Sequence, residues 1–280
     1  VESDVSRGLS LYRWYRYFVF DIAMHLLILL VVRVLRVKKL VKILFRWVLP
    51  SFVLRNWRVV GDSSAQLVME HELFRHVEIE LFVQRHHLPA ALEFVRHALE
   101  AVADDNERFA PDFRAQVDLV GNSDELSTLR GTYCHHYPIC IRKILPDETL
   151  ISMASGAIAR SEHLDRDRGT HQESAAWYSI TLTNYDRGER RKAFEQVASF
   201  LADSMAKLFR ARPHWGKLCP LSSTELRSLY PSMRRFLAVQ GGVYQGRSFL
   251  NDWTRELLWS ESDCENHAGA KRADEPCHKI

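Results

Sequence analysis

HVEIELFV, residues 76–83, decides how this chain folds. Apolar and polar side chains alternate along it, and a period of two is the signature of a β-strand with one buried face. Glu78 and Glu80 fall on one face of that strand. The alternation explains them as a polar surface, and it equally places two carboxylates side by side for acid–base work. Just downstream the period changes. LPAALEFVRHALEAVADD (88–105) has helical spacing, with Leu92, Val95, Leu99 and Val102 on a common face.

The same reading extends along the chain. PICIRKIL (138–145) and TLISMAS (149–155) read as strands joined by a turn at Pro146-Asp147. AWYSITLTNY (176–185) is another strand, after a charged stretch (160–174) that reads as a solvated loop. RKAFEQVASFLADSMAKLF (191–209) is an amphipathic helix with Phe194, Val197, Leu201, Met205 and Leu208 inward. TELRSLYPSMRRFLAV (224–239) is helical with an interruption near Pro231, and SFLNDWTRELLW (248–259) closes the folded part. Strands and helices alternate without a regular βαβ rhythm. The expected class is therefore α+β, a mostly antiparallel sheet flanked by helices.

Residues 11–60 differ in texture. YFVFDIAMHLLILLVV (17–32) is nearly all apolar but falls short of the roughly 18 to 20 clean residues of a spanning helix. In RVLRVKKLVKILFRWVLP (33–50), Arg36, Lys38, Lys39, Lys42 and Arg46 fall opposite Val34, Val37, Leu40, Val41, Leu44, Trp47 and Val48. A basic amphipathic helix ending at Pro50 suits an anionic membrane surface, and it suits equally a core helix with a solvated face. The expected division is an apolar and basic segment over 1–62, a domain over 63–259 and a disordered polar tail over 260–280. A first residue of Val1 makes a fragment or processed product the expectation.

Composition removes several function classes. Net charge is only +3 over 280 residues, so global charge implies no nucleic-acid partner. Five scattered cysteines without a CxxC pair form no disulfide framework and fit a reducing compartment. The expected location is cytoplasmic, or peripheral to the cytoplasmic face of a membrane. CHHYPIC (134–140) clusters cysteine and histidine without a recognised zinc spacing, so no metal site is expected. Neither GxGxxG nor GxxxxGK[ST] nor GxSxG occurs.

Arg142 interrupts an apolar strand on the same parity as Cys140, so an inward guanidinium needing an anionic or polar partner is expected. Thr181 and Thr183 share a face in the later strand. RPHWGK (212–217) crowds His214, Trp215 and Lys217 directly after a helix. By itself that crowding is an ordinary loop or the working edge of a site.

Taken in order, RPHWGK, LYP (229–231), FLND (249–252) and HYPICIRKILPDETLISMA (136–154) resemble the substrate (cap) domain of the sugar-1,4-lactone oxidases. That family includes the arabinonolactone and gulonolactone oxidases and belongs to the vanillyl-alcohol-oxidase flavoprotein superfamily. The resemblance covers roughly residues 67–258. It implies an FAD-dependent enzyme that oxidises a CH–OH group of a sugar lactone or polyol-like small molecule by hydride transfer to flavin. Lys217 corresponds to the lysine beside the flavin N1/C2 carbonyl edge, and His214 to a contact with flavin or substrate. Arg142 corresponds to the arginine near the reacting carbon, and Thr181, with Thr183, to the substrate-facing strand. Catalytic roles are thus expected at Arg142, Lys217 and Thr181, with Cys140 and Thr183 beside the substrate.

Two departures follow from the resemblance. Cys140 stands where the family pattern Glu-x-Arg has its glutamate, and a thiol neither accepts strongly nor pairs with Arg142 as a carboxylate would. FAD is expected to be held mainly by a domain that this chain does not contain. Cys140 and the basic segment also suit a membrane-associated FAD-dependent reductase of the same superfamily. A non-catalytic membrane-surface interaction domain is the reading from a different class.

Overall fold

The structure is a computed structural model. It describes residues 75–104, 109–155, 176–186, 188–244 and 251–258, with shorter stretches between 11 and 51. The expected loop at 160–174 and tail at 260–280 lie outside the described residues, as do Arg36, Lys38, Lys39 and Lys42. In the N-terminal region, wide helical turns span Arg16–Met24 and Leu44–Val48, and one further turn spans Leu49–Ser51. There Leu44 is buried while Trp47 is exposed, with the Arg46 guanidinium 5.6 Å from its ring. Among the described residues no helix is long and apolar enough to cross a membrane.

Four strands form one antiparallel sheet: β1 (His76–Gln84), β2 (Cys140–Ile144), β3 (Trp177–Tyr185) and β4 (Arg212–Pro213), in the order β2-β3-β1-β4. The helices are α1 (Leu88–Ala103), α2 (Pro111–Leu119), α3 (Ser123–Leu129), α4 (Gly188–Phe209), α5 (Ser223–Leu229), α6 (Met233–Tyr244) and α7 (Asp252–Leu258). The α+β class expected from the sequence is the class observed.

The alternation in 76–83 does what its period requires. Ile79, Leu81 and Val83, with Ile180 and Leu182 of β3, are buried in the main core with α1 and α4. Of the expected inward positions on α4, Phe194, Val197, Leu201 and Met205 are fully buried, and Leu208 packs against the core from its margin. On α1 the buried stripe is rotated from the expected one. Phe94, Val95, Ala98, Ala101 and Val102 are buried, while Leu92 and Leu99 sit at the edge. Small alanines let the helix approach the sheet closely, so the bulkier leucines flank the seam. α5 starts with a capping box: the Ser222 hydroxyl accepts from the Glu225 N–H, and the Glu225 carboxylate accepts from the Ser222 N–H.

The expected strand at 149–155 does not form. Asp147 accepts hydrogen bonds from the Thr149 N–H and the Thr149 and Ser152 hydroxyls, which closes a turn in place of a ladder. The segment becomes a cover over one end of the sheet's second face. Its Ala154 packs against Phe82 and Trp177 of the sheet, beside the fully buried Arg212. The Arg212 guanidinium donates to the carbonyls of Leu229, Met153 and Ser155 and to the Ser155 hydroxyl. It lies 4.4 Å from the Trp177 ring and 4.7 Å from the Tyr230 ring. Burial pushes its pKa down to about 10, which leaves it charged at neutral pH. Replacing Arg212 by Met would strand these acceptors in a dry site. The expected loss is about 3 kcal/mol of unfolding free energy, measured by urea denaturation of the chain.

Candidate active site on the polar sheet face

The second face of the sheet has two halves. One is covered by residues 146–155 as described above. The other carries Glu78, Glu80, Thr181, Thr183, Cys140 and Arg142. Strand register fixes these neighbours: Glu78 lies opposite Thr183, Glu80 opposite Thr181, Cys140 opposite Thr181, and Arg142 opposite Ser179. Cys140, Thr181 and Glu80 therefore form one row across three strands.

RPHWGK reaches this face by running back along β1. Arg212 and Pro213 pair with Phe82 and Leu81, and the His214 N–H donates to the Glu80 carbonyl at 2.9 Å. The chain then turns, closed by the Lys217 N–H on the His214 carbonyl, and rejoins β1 where the Leu218 N–H donates to the Glu78 carbonyl. A loop tied to β1 at both carboxylate positions carries Lys217 between them. Its Nζ lies 2.6 Å from Glu78 Oε2 and 2.8 Å from Glu80 Oε2. Thr183 donates its hydroxyl to Glu78 Oε1 at 3.0 Å.

Each residue of the loop has a local reason to be there. The Gly216 N–H donates to His214 Nδ1 at 2.9 Å. A β-carbon at position 216 would meet the His214 ring at 3.4 Å, an ordinary contact distance, so the folded-back imidazole packs closely on the turn without itself requiring glycine. With Nδ1 accepting, the proton of a neutral His214 ring sits on Nε2. Trp215 is an anchor: its indole donates to the Ile151 carbonyl at 2.7 Å, and its ring lies 4.9 Å from that of Tyr230.

Charge and burial act against one another here. Desolvation by itself raises the pKa of Glu78, but hydrogen bonds from Lys217 and Thr183 and the charges of Lys217 and His76 outweigh it. Glu80 is likewise desolvated and still held below its ordinary range by Lys217, Ser179 and His214. Desolvation pulls Lys217 down, while the two carboxylates raise it above its ordinary value. All three groups are ionised at neutral pH, and the trio carries one net negative charge.

The other expected site residues are placed as follows. Thr181 is buried, and its hydroxyl has no hydrogen-bond partner among the described residues. Cys140 and Arg142 are exposed. The inward position expected for Arg142 is corrected on burial but kept on face: β2 is the edge strand, and no described layer covers it there. In CHHYPIC, His135 Nδ1 lies 2.9 Å from the Tyr133 hydroxyl, and His136 stacks on Tyr185. Burial pushes the pKa of His135 down to about 4. Sequence reasoning left Glu78 and Glu80 open between surface and site, and it did not single out Arg212. A signal for Arg212 was an arginine beside Pro213 at the return from a helix, where an apolar residue would ordinarily enter the sheet.

The carboxylate pKa values are depressed by folding. Their contribution to stability is therefore present above the ordinary value of 4.5 and is lost as pH falls through the folded values. The raised Lys217 contributes below its ordinary value of 10.5 and loses that contribution as pH rises through the folded one. Chemical denaturation at several pH values should show acid destabilisation of the wild-type chain below about 4.5. That slope should be shallower in the double variant Glu78→Gln, Glu80→Gln.

Residues 6–257 match the D-arabinono-1,4-lactone oxidase family. The chain is similar to a long-chain alcohol oxidase of an uncultured marine euryarchaeote, 42% identical over 253 residues, covering 90% of this chain and 50% of the relative. It is also similar to an L-gulono-1,4-lactone dehydrogenase of Mycobacterium tuberculosis, 31% identical over 122 residues, 44% of this chain and 23% of the relative. The chain thus spans half the length of the first relative, and its match to the second covers less than a quarter of that protein. With nine-tenths of its length matched, and with the sheet and loop that carry the resemblance in place, the chain belongs to the D-arabinono-1,4-lactone oxidase family.

Proposed function

We propose that this chain is the substrate domain of an FAD-dependent oxidoreductase that oxidises a CH–OH group of a small molecule by hydride transfer to flavin. The observation that carries this reading is the ammonium of Lys217, fixed between two carboxylates on a polar sheet face beside the buried, unpartnered hydroxyl of Thr181. The Thr181 hydroxyl, held without a hydrogen-bond partner among the described residues, fits a bound ligand. When bound, FAD supplies the two-electron acceptor.

The chain's own residues then divide the work. Lys217 would be the residue that faces FAD, its ammonium offsetting the negative charge that the cofactor takes up on reduction. His214 has Nε2–H left for flavin or substrate. Thr181 orients the substrate oxygen, and Thr183 braces Glu78. Arg142 lies two residues along β2 from Cys140, and would meet the substrate once the flavin-bearing part of the enzyme covers the sheet. That part lies mainly outside residues 1–280 in this proposal, and residues 63–259 are the substrate domain.

Cys140 favours a second, narrower reading of the substrate. A thiol in place of a carboxylate removes a strong acceptor for a sugar hydroxyl. The similarity to a long-chain alcohol oxidase points the same way, toward an alcohol with an apolar chain. We further propose that the basic segment within residues 1–62 brings the enzyme to the cytoplasmic face of a membrane.

The full-length protein carrying this chain should show a flavin absorbance spectrum when purified. A colourless protein that takes up no added FAD overturns the proposal. In the loaded protein, Lys217→Ala should slow anaerobic flavin reduction on the scale of about 2.7–4 kcal/mol, roughly 100- to 1,000-fold. An unchanged rate would remove the role given to Lys217. Residues 1–62 should float with phosphatidylserine vesicles at low salt and be released at high salt. Failure to float at low salt rejects membrane contact.

A further inference from the structure

We infer that Glu80 is the catalytic acid–base residue of this site, accepting the hydroxyl proton of the alcohol from β1 in place of a carboxylate at position 140. The inference rests on the oxidation proposed above and supplies the proton acceptor that it lacks.

The placement comes from the register. Cys140, Thr181 and Glu80 are consecutive in one row on one face, with Thr181 directly opposite both. Paired residues of an antiparallel ladder lie about 5 Å apart, so a carboxylate on β1 and a residue on β2 flank Thr181 on either side. The Thr181 hydroxyl is buried and has no hydrogen-bond partner among the described residues. An alcohol oxygen over it can accept from Thr181 while donating its own proton to Glu80.

Glu80 is equipped for that task in a way its neighbours are not. It is buried, yet Lys217 at 2.8 Å supports its charge. An ionised carboxylate has about four acceptor positions, and Lys217 accounts for only part of them. Glu78 is also bound by Lys217, but it additionally takes the Thr183 hydroxyl and faces His76. It stands opposite Thr183, one row away from Cys140. Lys217 is protonated and cannot take a proton. His214 Nδ1 already accepts from Gly216, and the Cys140 thiol is a weak acceptor.

The step balances. The C–H bond breaks and its hydrogen leaves with the electron pair to the flavin of the proposed reaction. The O–H bond breaks, its proton passes to a Glu80 oxygen, and its electron pair forms the carbonyl π bond. Glu80 then returns the proton to solvent. A depressed carboxylate is basic enough because the oxygen becomes strongly acidic as hydride departs.

The test compares Glu80→Ala, Glu80→Gln and Glu78→Ala in the full-length flavoprotein, with 1-octanol as reductant and added sodium formate as a diffusible base. Both Glu80 variants should lose flavin reduction by about 100-fold or more, within the range of general-base catalysis. Formate should restore a substantial part of the rate in Glu80→Ala and none in Glu78→Ala. A second readout needs no flavin: NMR titration of the Lys217 ammonium in the chain itself. Its pKa should fall in both alanine variants, because each removes one of the two carboxylates that raise it. That result, with rescue confined to position 80, establishes acid–base work beyond holding the lysine. Equal losses at both positions without formate rescue would reduce Glu80 to a lysine clamp and overturn the inference. So would an active wild type whose Glu80→Gln variant keeps its rate within about threefold, a loss too small for general-base catalysis; the proposed function would then stand. A wild type that binds no flavin would overturn both.

Discussion

The pairing of β1 with β3 sets everything else in this domain. A strand's side chains alternate between faces, so nine paired residues sort themselves without further instruction. One face receives Ile79, Leu81 and Val83 with Ile180 and Leu182, and the amphipathic helices α1 and α4 close over it. The other receives Glu78, Glu80, Thr181 and Thr183. A slip of one residue would drive both carboxylates into the core and expose the aliphatic row. The cost of burying two unpaired charges against aromatic and aliphatic side chains makes that register strongly specified.

Carboxylates gathered this way repel one another unless a cation joins them, and the chain brings one back. The 212–218 segment pairs with β1, leaves it, and rejoins it at Glu78, so its loop is tied on both sides. Lys217 therefore does not depend on side-chain flexibility to find its partners. Gly216 and Trp215 serve the same end: the Gly216 N–H donates to His214 Nδ1 across the turn, and Trp215 pins the loop to Ile151 and Tyr230. An ammonium held this firmly keeps its place between the two carboxylates without reorganisation.

Arg212 couples the two halves of the polar face. It sits beside the site in sequence, yet its guanidinium is spent on the 146–155 cover and on the end of α5. The cover is irregular because Asp147 binds its own neighbours, and irregular backbone leaves carbonyls free for a buried guanidinium. The covered end gives the sheet face a solid floor at Phe82 and Trp177, while the open end keeps Cys140 and Arg142 exposed.

Local period was enough to read the α+β class, β1, β3 and the long helices, because strand and helix repeats are properties of contiguous sequence. The motif RPHWGK, with Arg142 and Thr181, was legible as a family pattern. The failures share one cause. Residues 149–155 look like a strand by composition, and Arg142 looks inward by parity, but hydrogen-bond competition and the position of a strand at the sheet edge are not local properties. The stripe on α1 was off by part of a turn because the distance of closest approach depends on the alanines facing the sheet. What Glu78 and Glu80 do was equally out of reach. The sequence by itself determined that two carboxylates share a face. Only the tertiary structure decided that they share a lysine, because that lysine arrives from well over a hundred residues away along a strand return that no local pattern encodes.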